Sequence, residues 1–331
     1  MEKGKFLISI TILILILGLV IGCNSVTKES ANNKEGKEKI QIITTLFPQY
    51  DFTREIVKDK GEIDLLLPPG VEAHSYEPTP QDISKIKKAD VFIYTGEYME
   101  PWAEKVIKNV GEDNITVVDL SEDIELIDED DHEYYDQEKG HKGHENDDGH
   151  HHGGKDPHIW LNPVYAQEMV DNIVEAVVKV DKNNEDFYRE NGDVYKEKLA
   201  ELDKKFTETF EKTEHKTIIY GGHFAFGYFA KRYGLDYISP YNGFTPNAEP
   251  TPQRITELIQ NMKSSGMNVI YYEELIDPKI AKIISEQTEA EMMLLHGAHN
   301  VSKEELESGI SYIEIMEDNL EKLKQGLAYD E

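Results

Sequence analysis

The chain has 331 residues, 39% apolar and 30% charged, with 35 Lys and Arg against 65 Asp and Glu and a formal net charge of −30. The apolar share suffices for buried cores and excludes a wholly disordered chain, and the negative charge repels phosphate backbones and argues against nucleic acid as a partner. One cysteine excludes an intrachain disulfide and a cysteine-rich zinc module.

The N-terminus reads as an address. Lys3 and Lys5 precede an apolar stretch, Phe6 to Ile21, that ends at Gly22-Cys23. It is shorter than the ~20 residues needed to span a bilayer, so it fits a signal-peptide core (1–22) better than an uncleaved anchor. Val20-Ile21-Gly22-Cys23 resembles the bacterial lipobox, in which the cysteine is lipid-modified and becomes the new N-terminus. The only cysteine of the chain stands at that spot. Residues 23–38 are polar and read as a lipid-anchored tether.

From residue 39 short apolar runs alternate with amphipathic segments. Strands are predicted over 40–46, 62–67, 90–95 and 115–120, with helices over 49–59, 80–88 and 100–109. This order argues for a mostly parallel sheet with helices on its faces. Residues 121–155 hold 13 Asp and Glu and six His, namely His132, His141, His144, His150, His151 and His152. They read as a mobile loop and a possible secondary metal site.

Helical spacing returns at Val164 and runs to about Lys212, with a break near 181–184. A helix over 184–212 would be about 43 Å long at ~1.5 Å per residue, a rod suited to joining two lobes. Strands then follow at 217–221, 235–239, 268–272 and 291–295, with helices over 224–233, 252–264, 278–288 and 302–326. The predicted fold is α/β, two Rossmann-like lobes of mostly parallel sheet joined by one long helix. The boundaries are 39–182, 183–213 and 214–331. No sequence repeat relates the lobes.

Three histidines outside the loop stand at strand ends or before helices, among Gly, Pro and aromatics: His74 in LPPGVEAHSYEPTP, His158 in DPHIWLNP and His223 in YGGHFAFGYF. In open α/β sheets ligand sites form at the carboxyl ends of strands. Neutral imidazole is the commonest metal ligand, and three His with one carboxylate is an ordinary Zn²⁺ set. Two lobes donating to one point would put a metal in the cleft between them. His215, beside Glu214 and Lys216, reads as solvated. His296 and His299 read as a strand-to-helix turn, with a second small site as the alternative.

At these residues the chain resembles the metal-binding solute-binding proteins of bacterial ABC importers, the ZnuA/AdcA type. The matching segments are GVEAHSYEPTPQDI (70–83), DPHIWLNPVYA (156–166), GGHFAFGYFAKRYGL (221–235) and GFTPNAEPTPQRITELI (243–259). The resemblance implies two lobes bridged by a rigid helix and metal ligands at His74, His158 and His223. Manganese-binding relatives generally carry Glu at the third position. His223 there, with imidazole nitrogen, favours Zn²⁺. The resemblance places the fourth ligand, a carboxylate or a water, just after strand 268–272. Glu273 is the nearest match, with Glu274 and Asp277 as rivals. The chain lacks the second-lobe cysteine pair of some relatives. Trp160 and Tyr76 are expected to wall the pocket, and Tyr228 and Phe229 to belong to the core.

The function so implied is extracytoplasmic capture of Zn²⁺ by a lipid-anchored monomer and its delivery to a membrane permease, with no enzymatic activity. The partners are an ABC permease and a separate ATPase subunit, since no phosphate-binding GxxxxGK[ST] pattern occurs. The alternatives are the same role for Mn²⁺ and a metal-dependent surface adhesin. A zinc hydrolase has only an open coordination position in its favour.

Overall fold

The computed structural model describes residues 39–111, 115–128, 154–241 and 250–329. The expected leader, Cys23, the tether from 23 to 38 and the six loop histidines lie outside the described residues. Among those described, no helix is long and apolar enough to cross a membrane.

The first sheet comprises β1 (Ile40–Thr44), β2 (Gly61–Leu65), β3 (Val91–Tyr94) and β4 (Thr116–Asp119). All its pairings are parallel, in the order β2-β1-β3-β4. Strand β1 is buried at every position but Gln41. That pattern suits a central strand covered on both faces. Helices α1 (Phe47–Val57), α2 (Pro80–Ile86) and α3 (Ala103–Val110) follow β1, β2 and β3. Thr79 and Asp82 form a capping box that starts α2, with Pro80 in its first turn.

Helix α4 (Pro163–Val180) leads through a 3-10 turn at Lys182–Asn184 into α5 (Glu185–Glu211). The break falls where the sequence places it. Helix α5 has 27 residues, about 40 Å at ~1.5 Å per residue. Its buried stripe of Tyr188, Gly192, Tyr195, Leu199, Leu202, Phe206 and Phe210 keeps three- and four-residue spacing along one face. At Gly192 a Cβ would sit 2.6 Å from Val174 Cγ2, so the missing side chain lets α5 approach α4 closely.

Four more parallel strands follow: β5 (Thr217–Ile219), β6 (Asp236–Ile238), β7 (Val269–Tyr272) and β8 (Glu291–Leu294). β5 pairs with β6 and β7 with β8, and a parallel bridge between Tyr220 and Tyr271 joins the two pairs. The resulting order, β6-β5-β7-β8, repeats that of the first sheet, although no sequence repeat is visible. Helices α6 (Gly227–Tyr233), α7 (Pro252–Ser265) and α8 (Lys279–Thr288) connect these strands. One hydrophobic cluster runs through both halves, from Ile42 and Phe52 through Trp160, Met169 and Phe206 to Met293 and Tyr312.

Two expectations are corrected. The final helix is two, α9 (Lys303–Ser308) and α10 (Tyr312–Gly326). Gly309, at φ 77°, ends α9 in the left-handed region. Ser311 then opens α10 through a capping box with Glu314. Apolar spacing continues across that break, so periodicity alone hid it. The segment expected to loosen at residue 121 stays packed to residue 128. Ile124 and Ile127 are buried, and Asp128 meets Lys155 in an antiparallel bridge with a 2.7 Å ion pair.

Candidate metal centre

Parallel strands send all their carboxyl ends to one side of a sheet, and the loops leaving those ends carry the site. His74 follows β2, His158 precedes α4, His223 follows β5 and His299 follows β8. Each half of the fold therefore supplies two imidazoles. One ligand nitrogen from each of the four lies within 4.8 Å of all the others. The six ring-centroid separations span only 4.9 to 5.8 Å. His158, His223 and His299 are buried and His74 is half-buried.

A carboxylate holds each histidine, three of them through the ring and one through the backbone. Asp156 Oδ1 accepts from the backbone N–H of His158 at 2.9 Å and from its Nδ1 at 2.7 Å. Glu273 accepts from Nδ1 of His223. Glu274 accepts from Nδ1 of His299 at 3.0 Å and from the Gly297 N–H at 2.7 Å. Glu72 holds the fourth through the backbone, accepting from the N–H groups of His74 at 2.7 Å and Ser75 at 2.8 Å.

With Nδ1–H committed to a carboxylate, the lone pair of a neutral imidazole is on Nε2. The Nε2 atoms of His223 and His299 are buried and have no hydrogen-bond partner. Those of His74 and His158 lie 3.2 Å apart. Zn–N bonds of 2.0–2.1 Å in a tetrahedron put the nitrogens about 3.3 Å apart. The His74–His158 pair stands at that spacing and the remaining nitrogens lie within 4.8 Å, an all-imidazole set that suits a nitrogen-preferring cation. A cavity of about 20 Å³ beside His223, Glu273, Glu274, Leu275 and His299 has room for roughly one water-sized group.

Burial, reinforced by the neighbouring imidazoles, lowers the His74 pKa to about 2 and holds that of His158 well below its ordinary value. Both rings are therefore neutral and competent to bind metal at neutral pH. Burial would lower His299 too, but its hydrogen bond to Glu274 and that group's charge outweigh it and raise the pKa. Burial works against the Glu274 carboxylate. The His296 and His299 imidazoles and the Gly297 N–H outweigh it and hold the carboxyl below its usual range. Burial drives the Asp156 carboxyl well up, against the His158 N–H.

The sequence-predicted residues are thus only partly brought together. His74, His158 and His223 converge. Glu273 lies behind His223, outside the four-nitrogen group, and Glu274 lies behind His299. Asp277 instead pairs with Lys282. His299, read as part of a turn, completes the group because β8 ends beside β7. A period count along the chain carries no trace of that adjacency. His296 stays out, its Nδ1 accepting from the Ala298 N–H at 2.9 Å. Trp160 is fully buried and edge-on to His158 and His299. Tyr76 packs on Trp102 and donates to Asp82 rather than lining the imidazoles. Tyr228 and Phe229 are core, and the Tyr228 hydroxyl donates to the Asp156 carbonyl at 2.7 Å, supporting the His158 loop.

The chain matches the ZnuA family, described as zinc-uptake complex component A, periplasmic, over residues 42–326. It is 40% identical over 312 residues to the high-affinity zinc uptake system protein ZnuA of Bacillus subtilis, covering 93% of this chain and 94% of that protein. It is 32% identical over 295 residues to the zinc-binding lipoprotein AdcA of Streptococcus pneumoniae, covering 89% of this chain and 57% of AdcA. It therefore spans little over half of that relative. The crystal structure of the Zn(II)-bound ZnuA-like domain of that AdcA superposes with a TM-score of 0.72 at 30% identity, covering 87% of this chain and 99% of the domain.

Proposed function

The chain belongs to the ZnuA family of zinc-uptake components, and from that premise we propose that it holds Zn²⁺ on the four imidazoles of His74, His158, His223 and His299. As a member of that family it is the extracytoplasmic zinc-binding component of an ABC uptake system, a solute-binding protein and not an enzyme. Its partners are of the permease and ATPase kind.

The observation that carries the ligand set is the convergence of four ring nitrogens, three of them on buried histidines whose Nδ1 is committed to a carboxylate. This reading replaces Glu273 with His299 as fourth ligand. An all-imidazole set suits Zn²⁺, whereas Mn²⁺ prefers oxygen donors. Fourfold closure by protein ligands leaves no position for an activated water, which also argues against hydrolysis. Each lobe would give two ligands, with the boundaries at 182/183 and 213/214 and α5 as the rod between. The mature protein would begin at Cys23, tethered by its lipid as a monomer. Support for this is the position of the sole cysteine after an apolar leader. The six histidines between 132 and 152 would gather zinc as a secondary site.

The test is a competitive titration of the chain from Asn24 onward, with residues 130–152 deleted, against Zn²⁺ and Mn²⁺. One tight zinc equivalent that Mn²⁺ does not displace is expected. Each of His74→Ala, His158→Ala, His223→Ala and His299→Ala should weaken it by more than the ~10–100-fold typical of losing an outer-shell partner. Unchanged affinity in His299→Ala, with loss in Glu273→Ala, would restore Glu273 as the ligand.

A further inference from the structure

Resting on the four-imidazole reading, we propose that Glu273 and Glu274 form a paired positioning element that fixes which nitrogen His223 and His299 offer to zinc. The two carboxylates are consecutive, directly after β7, yet they serve ligands from different strands. β7 lies between β5 and β8 in the sheet. Its carboxyl end can therefore reach the His223 loop on one side and the His299 loop on the other. Glu273 takes the Nδ1–H of His223 and Glu274 that of His299. In both rings Nε2 is then the only nitrogen left, and in both it is buried without a partner.

The glycines beside the ligands fit this arrangement. A Cβ on Gly222 would stand 2.6 Å from Glu273 Oε1, and one on Gly297 2.6 Å from His299 Cε1 and 3.3 Å from Glu274 Oε1. Bare backbone is what lets each carboxylate close on its histidine. Glu274 cannot be replaced silently by glutamine. It accepts from His299 with one oxygen and from the Gly297 N–H with the other. Glutamine has a single carbonyl oxygen, and its NH₂ would face one of those donors.

Four neutral imidazoles leave both charges of Zn²⁺ uncompensated among the ligands themselves. Carboxylates one bond further out balance that charge and strengthen the imidazoles as donors. The pair thereby permits histidine in a fourth position without giving up the negative charge that a carboxylate ligand would bring.

The test is a pair of double-mutant cycles on the mature chain, read by zinc affinity in chelator competition and by the Co²⁺ absorption spectrum. Glu274→Gln should weaken zinc by ~10–100-fold. It should also shift the Co²⁺ bands from an intense four-coordinate pattern toward that of His299→Ala. Added to His299→Ala, it should cost nothing more, because its effect passes through that ring. Glu273→Gln should behave in the same way with His223→Ala. An equal loss with and without His299 would overturn the proposal and make Glu274 a merely structural residue. So would an unchanged affinity and spectrum in Glu274→Gln. Should Glu274→Gln fail to fold, the Glu273→Gln cycle decides alone, since that side chain is partly exposed. Failure of the four-imidazole reading looks different: His299→Ala itself would leave affinity and spectrum unchanged.

Discussion

The indole Nε1 of Trp160 donates to the carbonyl of Gly297 at 2.8 Å. That bond ties the loop carrying His158 to the loop carrying His299, one from each half of the fold. Other bonds run beside it. The Phe47 N–H donates to the His299 carbonyl at 3.2 Å, and the Gly70 N–H to that of Val301 at 2.9 Å. Asn300 Nδ2 donates to the carbonyls of Pro68 at 2.7 Å and Val71 at 2.9 Å. His299 thus follows a strand of the second half but is anchored to loops of the first.

Trp160→Phe keeps the ring against His158 and His299 and removes only the donor. It leaves the Gly297 carbonyl without this partner, which costs about 1–3 kcal/mol. A lower melting temperature in the metal-free protein is expected, together with weaker zinc binding. Differential scanning calorimetry and chelator competition would check both. An unchanged melting temperature would show that the bond contributes nothing.

Gly297→Ala places a methyl 2.6 Å from His299 Cε1, too close for the ring to stay where it is. The ring is also held by Glu274, so it has to turn or the loop has to move. Zinc affinity should fall by ~10–100-fold, the range seen when a ligand loses its orientation. A competition titration that found wild-type affinity would show that the loop yields freely.

His74 supplies a pH dependence whose sign follows from burial. Its pKa is lowered to about 2 from the ordinary histidine value of about 6.5, so below pH 6.5 the unfolded chain takes up a proton that the native ring refuses. The stability it contributes is complete above 6.5 and is lost as pH falls below that value. Glutamine does not titrate. The metal-free wild type should therefore lose stability relative to His74→Gln by about 1 kcal/mol per pH unit between pH 6 and 4, the theoretical ~1.4 reduced for the ring's partial exposure. Urea denaturation of both proteins across that range would test the slope.

Gly192→Ala tests the packing of the long helix apart from the metal. The added Cβ meets Val174 Cγ2 at 2.6 Å. Overpacking of this kind costs about 1–3 kcal/mol, offset by up to ~1 kcal/mol from the better helix propensity of alanine. A net loss in urea stability with unchanged zinc affinity is expected.

Legible in the residues alone are the strand–helix alternation, the break between α4 and α5, and three of the four converging imidazoles. Those features are local. Apolar period, Pro and Gly punctuation, and His beside Gly and aromatics at strand ends are all written in neighbouring residues. What depends on adjacency across the sheets emerges only when the chain is folded. The repeated order, β2-β1-β3-β4 and β6-β5-β7-β8, leaves no trace in sequence, because buried parallel strands require only apolar, β-branched residues and not particular ones. For the same reason Glu273 read as a ligand and His299 as a turn. Only the placement of β7 between β5 and β8 brings His299 to the other imidazoles and sets both glutamates behind them.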